Sequence, residues 1–148
     1  MNATVFRFLG AVAVVSVVLS TSAKGYAPPG RYTTTAGTVF DTKTKLTWQQ
    51  TAPSAMYGWA GAKTYCQTLS LAGTGWRLPT RKELQTIVDY SQSNPSIDPA
   101  AFPATPLAYF WSSSPLAASP GSVWIVTFAN GITGYNGVNY GNNVRCVR

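Results

Sequence analysis

Two cysteines, Cys66 and Cys146, four carboxylates, Asp41, Glu83, Asp89 and Asp98, and no histidine make up the reactive inventory of this 148-residue chain. A thiolate nucleophile works with a base or cation beside it, and without histidine neither cysteine has the usual one. A metal site wants histidine, cysteine or clustered carboxylates. With the cysteines paired, only the four acids remain; Glu83 has a helix-capping role, and no two of the others lie near each other in sequence. Paired carboxylates could hydrolyse a glycosidic bond, and Asp89 with Asp98 is the pair to weigh. With Asp89 on a capped helix and Asp98 before Pro99, both read as structural or as loop tethers. The expectation is a protein that is not an enzyme, with no cofactor and no metal.

What remains is surface recognition, and two patches compete for it. The first is basic: Lys43 and Lys45 on an early turn, Lys63 on a first helix, Arg81 and Lys82 at the start of a second. Cations at a helix N-terminus oppose its macrodipole, so Glu83 or an anionic ligand should lie near the last two. The second patch is aromatic and amide-rich: Tyr135, Asn136, Asn139, Tyr140 and Asn142, with Trp124 and Tyr109 on nearby strands. Aromatic faces stack on sugar rings, and asparagine offers both donor and acceptor to hydroxyls. Both patches have a plain structural alternative, because asparagine and glycine are ordinary turn formers and a surplus of lysine can serve solubility alone.

The elements that must position these residues are written most clearly between Gly75 and Leu84. Thr80 follows Pro79 and precedes Glu83 by three residues, which is a capping box: each side chain takes an orphan amide of the other's segment. Leu84, Ile87 and Val88 supply the apolar stripe of a helix over roughly 81–91. An earlier helix, about 59–69, places Trp59, Ala62, Cys66 and Leu69 on one face. Strands are expected at 38–41, 46–49, 109–112 and 123–128. Asn130-Gly131 marks a hairpin whose returning strand is 132–135, and 143–147 closes the sheet. The prolines between Asn94 and Pro106 indicate an ordered irregular loop. Two helices flanking small antiparallel sheets give an α+β layout.

The words Trp76, Arg77, Leu78, Pro79, Thr80, Arg81, Lys82, Glu83 and Leu84 resemble the Lcl C-terminal domain family, named after a Legionella collagen-like adhesin. So do Asp89, Tyr90 and Ser91; Asn94 and Pro95; Asp98 and Pro99; Tyr109 to Ser113; and the close Val144, Arg145, Cys146, Val147, Arg148. The resemblance runs from about Arg31 to the C-terminus. It implies a C-type-lectin-like fold akin to the formylglycine-generating-enzyme modules, with a disulfide from the first helix to the last strand. It also implies binding of sulfated glycosaminoglycans through basic residues, although basic placement is not part of the shared wording. Arg77 and Arg145 lie inside that wording and read as fold residues pairing with carbonyls or the few acids. The Glu-Pro-Asn, Gln-Pro-Asp and Trp-Asn-Asp words of calcium-dependent lectins do not occur, so calcium-mediated sugar binding is disfavoured.

The N-terminus sets the expected compartment. Arg7, an apolar run from Phe8 to Leu19 and small residues to Ala23 read as a secretory signal peptide over 1–23. The run falls short of the roughly 20 apolar residues of a spanning helix. An extended lead-in over 24–30 then precedes one domain, 31–148. In an exported chain two cysteines most simply form one disulfide, which agrees with the resemblance. Eleven Lys and Arg against four acids, a net charge of +7, suit acidic partners, while the lack of a like-charge block gives nucleic acid no specific support. The reading is a bacterial protein, secreted, surface-exposed or periplasmic, that binds an acidic polysaccharide or surface glycan. The alternative is an assembly subunit that binds an envelope protein or itself.

Overall fold

The computed structural model describes residues 27–148; the expected signal peptide and the first part of the lead-in lie outside the described residues. The chain opens with a meander of β1 (Tyr32–Thr35), β2 (Thr38–Asp41) and β3 (Thr47–Gln49), antiparallel in that order. Thr35 pairs with Thr38, so β1 and β2 are joined by Ala36 and Gly37 alone. Both have positive φ, +48° and +79°, the signature of a type I′ turn whose twist matches the strands. The sequence reading did not include β1, because alanine replaces the asparagine that usually announces this turn. Tyr32 earns its place by packing edge-on against Phe102, 5.3 Å between ring centroids.

Helix α1 (Trp59–Thr68) buries Ala62 and Cys66, as the spacing predicts. Helix α2 (Arg81–Thr86) starts where the capping box places it, but it is six residues long, shorter than expected. It stops because Asp89 turns its carboxylate onto the Ser91 amide at 2.9 Å, while its own amide bonds Ser96 O. Such local side-chain bonds compete with helix continuation. The proline-rich stretch that follows is ordered and irregular, with Ile97, Asp98, Ala101, Phe102 and Thr105 buried. Asp98 bonds the amide of Ala100 at 2.8 Å and acts as a loop tether.

The second sheet, β4 (Tyr109–Pro115), β5 (Ser122–Thr127) and β6 (Thr133–Gly137), is antiparallel in that order. Its two faces face different cores. Phe110 and Val126 pack with Leu84, Ile87, Phe128, Val39 and Trp48; Trp111, Val123 and Ile125 pack with Ala62, Trp76, Leu78 and the disulfide sulfurs. Asn130-Gly131 does make a hairpin, though not a two-residue one. Gly131 alone is left-handed, at φ +77°, and its amide reaches back to Thr127 O.

The terminal segment does not add a strand to either sheet. Asn143 bridges Phe110, and Val147 bridges both Trp48 and Arg77, so its backbone bonds are shared among three partners. The Cys66–Cys146 disulfide fixes it to α1 across a Cα–Cα distance of 5.5 Å. Arg145, between these anchors, is fully buried. Its guanidinium donates to Gln49 O, Gln50 O and Thr105 Oγ1 and lies 4.8 Å from the Phe102 ring. Burial lowers its pKa to about 9, so it stays charged at neutral pH, held by carbonyls and a hydroxyl.

Candidate functional site

Both helices are anchored on the same irregular piece of β4. The register of β4 against β5 shifts between Trp111 and Pro115, a bulge of the kind that re-aims side chains. Within it, Ser112 O accepts from Trp59 Nε1 of α1 at 2.9 Å. Ser113 N–H donates to Pro79 O at 2.7 Å, and Ser114 Oγ accepts the Arg81 amide at 3.0 Å. The starts of α1 and α2 are thereby both tied to β4, an outer strand of its sheet.

Near these helices two cations sit over tryptophans. Lys63 Nζ lies 3.7 Å from the Trp59 ring centroid, one helical turn away, and the Arg81 guanidinium lies 4.5 Å from Trp124. Both distances fall inside the range where the ring quadrupole attracts a cation. A cleft of about 360 Å³ is lined by Lys63, Gln67, Arg77, Leu78, Thr80 and Ser113. Trp124 pairs across the ladder with Tyr135, which is 63% exposed. The basic and aromatic patches, read separately from sequence, thus meet along Arg81, Trp124 and Tyr135.

The carboxylates are used elsewhere. Arg77 grips Glu83 bidentately at 2.8 and 2.6 Å, and Glu83 also accepts the Thr80 amide at 2.7 Å while Thr80 Oγ1 takes the Glu83 amide. The Arg77 hydrogen bonds, ahead of the cap, hold the Glu83 carboxyl below its ordinary range against the opposing effect of burial. Glu83 therefore belongs to Arg77, and the expectation that it offsets Arg81 and Lys82 is corrected. Asp41 is buried and paired with Arg31 at 3.0 Å. With Asp89 and Asp98 bonded to backbone amides, no ion pair forms with Lys43, Lys45, Lys63, Arg81 or Lys82 among the described residues.

The remaining candidates divide. Lys43 and Lys45 are exposed on the β2–β3 turn of the first sheet, apart from the helix starts. Lys82 is exposed beside Arg81. Asn139 and Tyr140 are exposed, and the Tyr140 ring covers Gly137. Asn136 turns its amide oxygen onto Gly137 N–H. Asn142 is 5% exposed and bridges Tyr57 through its backbone; as a surface ligand it is set aside, because its side chain faces the interior. The sequence reading missed the pairing of each cation with a tryptophan. For Lys63 the signal was present, since Trp59 and Lys63 are four apart on a helix. For Trp124 there was no such signal, since it stands among Val123, Ile125 and Val126 in a strand with cores on both faces.

A model of the Lcl C-terminal domain matches residues 37–148. The chain belongs to the Lcl C-terminal domain family. No curated protein matches it. In this Lcl C-terminal domain the matched span includes every element from β2 onward and begins just after β1. The wording from Trp76 to Leu84 that carries the family resemblance falls on the Arg77–Glu83 pair and the capping box. Those are folding devices; of the candidate cations the same wording includes Arg81 and Lys82 but not Lys63.

Proposed function

We propose that this Lcl C-terminal domain is an exported, adhesin-like binding domain that takes an acidic or sulfated polysaccharide at the bacterial surface or envelope, without metal and without catalysis. The observation that carries the reading is the pair of tryptophan-seated cations, Lys63 and Arg81, with all four carboxylates engaged elsewhere. Guanidinium and ammonium groups bind sulfate or uronate oxygens through charge-assisted hydrogen bonds. The neighbouring Tyr135 offers an aromatic face to a sugar ring. The fold is assigned with it to the C-type-lectin-like class, supported by the bond from α1 to the terminal segment and by the long ordered loop after α2.

Binding of a heparin oligosaccharide to the exported chain, measured across a salt series, tests this reading. The double variant Lys63→Gln, Arg81→Gln should bind more weakly and with a flatter salt dependence, since fewer counterions are released. Lys43→Gln with Lys45→Gln should do less, because that turn belongs to the other sheet. EDTA should change nothing. Wild-type binding that ignores salt, or a double variant indistinguishable from wild type, would remove the polysaccharide from this surface and favour a protein partner.

A further inference from the structure

Strand β6 is the outer strand of the second sheet, and its free edge carries an unusual set of open groups. Thr127 N–H donates to Ile132 O at 2.9 Å, and at the other end Val138 N–H donates to Gly121 O at 3.0 Å. Hydrogen-bonded pairs alternate along an antiparallel ladder, so Gly134 and Asn136 face β5 while Thr133, Tyr135 and Gly137 direct their backbone groups away from it. Gly137 is already satisfied: its N–H bonds Asn136 Oδ1 and its carbonyl accepts from Tyr140 N–H. The amides and carbonyls of Thr133 and Tyr135 are left facing outward.

Natural edge strands are usually blunted with charge, proline or a bulge, because an open edge pairs with another strand. None of these protects β6. The chain has no charged residue from Pro99 to Val144, and β6 contains no proline and runs in register with β5. Tyr135 and Ile132 are exposed, 63% and 58%.

We propose that β6 pairs with β6 of a second copy of this chain, antiparallel, across a two-fold axis through Gly134. That register sets Thr133 against the partner's Tyr135 and Tyr135 against the partner's Thr133. It uses the open backbone groups of both copies and needs none that are already taken. Gly134 then faces its own copy in a non-hydrogen-bonded position, where Cα atoms approach to about 4.5 Å, and glycine puts no side chains in the gap. Ile132 lies against the partner's Asn136.

Charge favours a second copy at this place. The chain is strongly basic, and the uncharged β6 edge is where two copies can meet without bringing cations together. Arg81 sits over Trp124 on β5, so the two Arg81 groups are separated by three strand spacings, about 14 Å, beyond the Debye length of about 8 Å at physiological ionic strength. The contact is isologous and closed, as in most soluble dimers. Because the axis is perpendicular to the sheet, both Arg81–Trp124 surfaces lie on the same side. If the polysaccharide reading holds, the pair is bivalent toward one long chain.

Sedimentation equilibrium of the exported chain, with no polysaccharide present, should give a mass that rises with concentration to that of two chains. Tyr135→Lys places a charge at the edge and should return the mass to one chain with an unchanged far-UV circular dichroism spectrum. Gly134→Cys supplies a positive readout. A Cβ there would meet only Ile125, at 3.7 and 3.9 Å, an ordinary contact, and air oxidation should yield a covalent two-chain species on a non-reducing gel. A control with Asn139→Cys should not. A one-chain mass at every concentration would overturn the proposal, as would a two-chain mass that Tyr135→Lys leaves intact. Either outcome would leave the polysaccharide result standing, since no ligand enters the experiment.

Discussion

Replacing Glu83 with glutamine tests the physical account of the helix start. The carboxylate serves two structural partners: Arg77, through two hydrogen bonds at 2.8 and 2.6 Å, and the Thr80 amide at 2.7 Å. The Arg77 side chain is 46% exposed and that of Glu83 22%, so solvent screening limits the ion pair to below about 1 kcal/mol. The reciprocal cap is worth about 1 kcal/mol when lost whole, and glutamine retains part of it. Glu83→Gln should therefore cost about 1 kcal/mol at pH 7, a fall of roughly 3–5 °C in melting temperature for a domain of this size. A carboxyl held below its ordinary pKa binds its proton less readily folded than unfolded. Its contribution is complete above the unfolded value of about 4.3 and fades as pH falls through the lower folded value. The two proteins differ at this one side chain, so the difference between wild type and variant isolates Glu83. Thermal melts should separate the two at pH 7, and the gap should close as pH falls through the folded value. A gap that persists undiminished in acid, or no gap at neutral pH, would refute the assignment of Glu83 to Arg77 and the cap.

Two further outcomes check the frame. Reducing the Cys66–Cys146 bond frees a chain separation of 80 residues, worth about 4.5 kcal/mol in the chain-entropy model; a denaturant midpoint unmoved by reductant would contradict its structural role. Gly131→Ala should destabilise by about 2 kcal/mol or more, because φ is +77° and a Cβ there would fall 2.6 Å from Val88 Cγ1 and 3.0 Å from Tyr90 Cε1. A melting temperature equal to wild type would mean that this turn and the segment after α2 do not meet.

What could be read from the sequence depended on how local its cause was. The capping box is a four-residue agreement between Thr80 and Glu83, and it appears where expected. The buried stripe of α1 needs only the helical period. The end of α2 was not legible, because Asp89 leaves the helix for a side-chain bond to Ser91 and a backbone bond to Ser96, a choice that tertiary packing makes. Strand β1 was hidden by a left-handed alanine at 36. The terminal segment looked like a strand because it is apolar and extended, yet its bonds go to three separate neighbours. The same distinction holds at the candidate site: the cations and aromatics were visible as residue types, but Arg81 meets Trp124 only because the β4 bulge carries Ser114 to the Arg81 amide.

Net charge alone overstates what this surface can offer an anion. Arg31 and Arg77 spend their charge on Asp41 and Glu83. Arg145 is sealed in the interior among carbonyls and phenylalanine rings. Arg148 is half-buried over Trp76 and bonded to the carbonyls of Ala72 and Thr74. Among the described residues the cations left to bind are Lys43 and Lys45 on the β2–β3 turn, Lys63 on α1, and Arg81 and Lys82 on α2. A ligand that engages the helix cations Lys63, Arg81 and Lys82 together should show a salt dependence of about three released counterions, well below what the +7 formal charge suggests. A markedly steeper slope would require the Lys43–Lys45 turn as well, and so a polysaccharide long enough to cross from one sheet to the other.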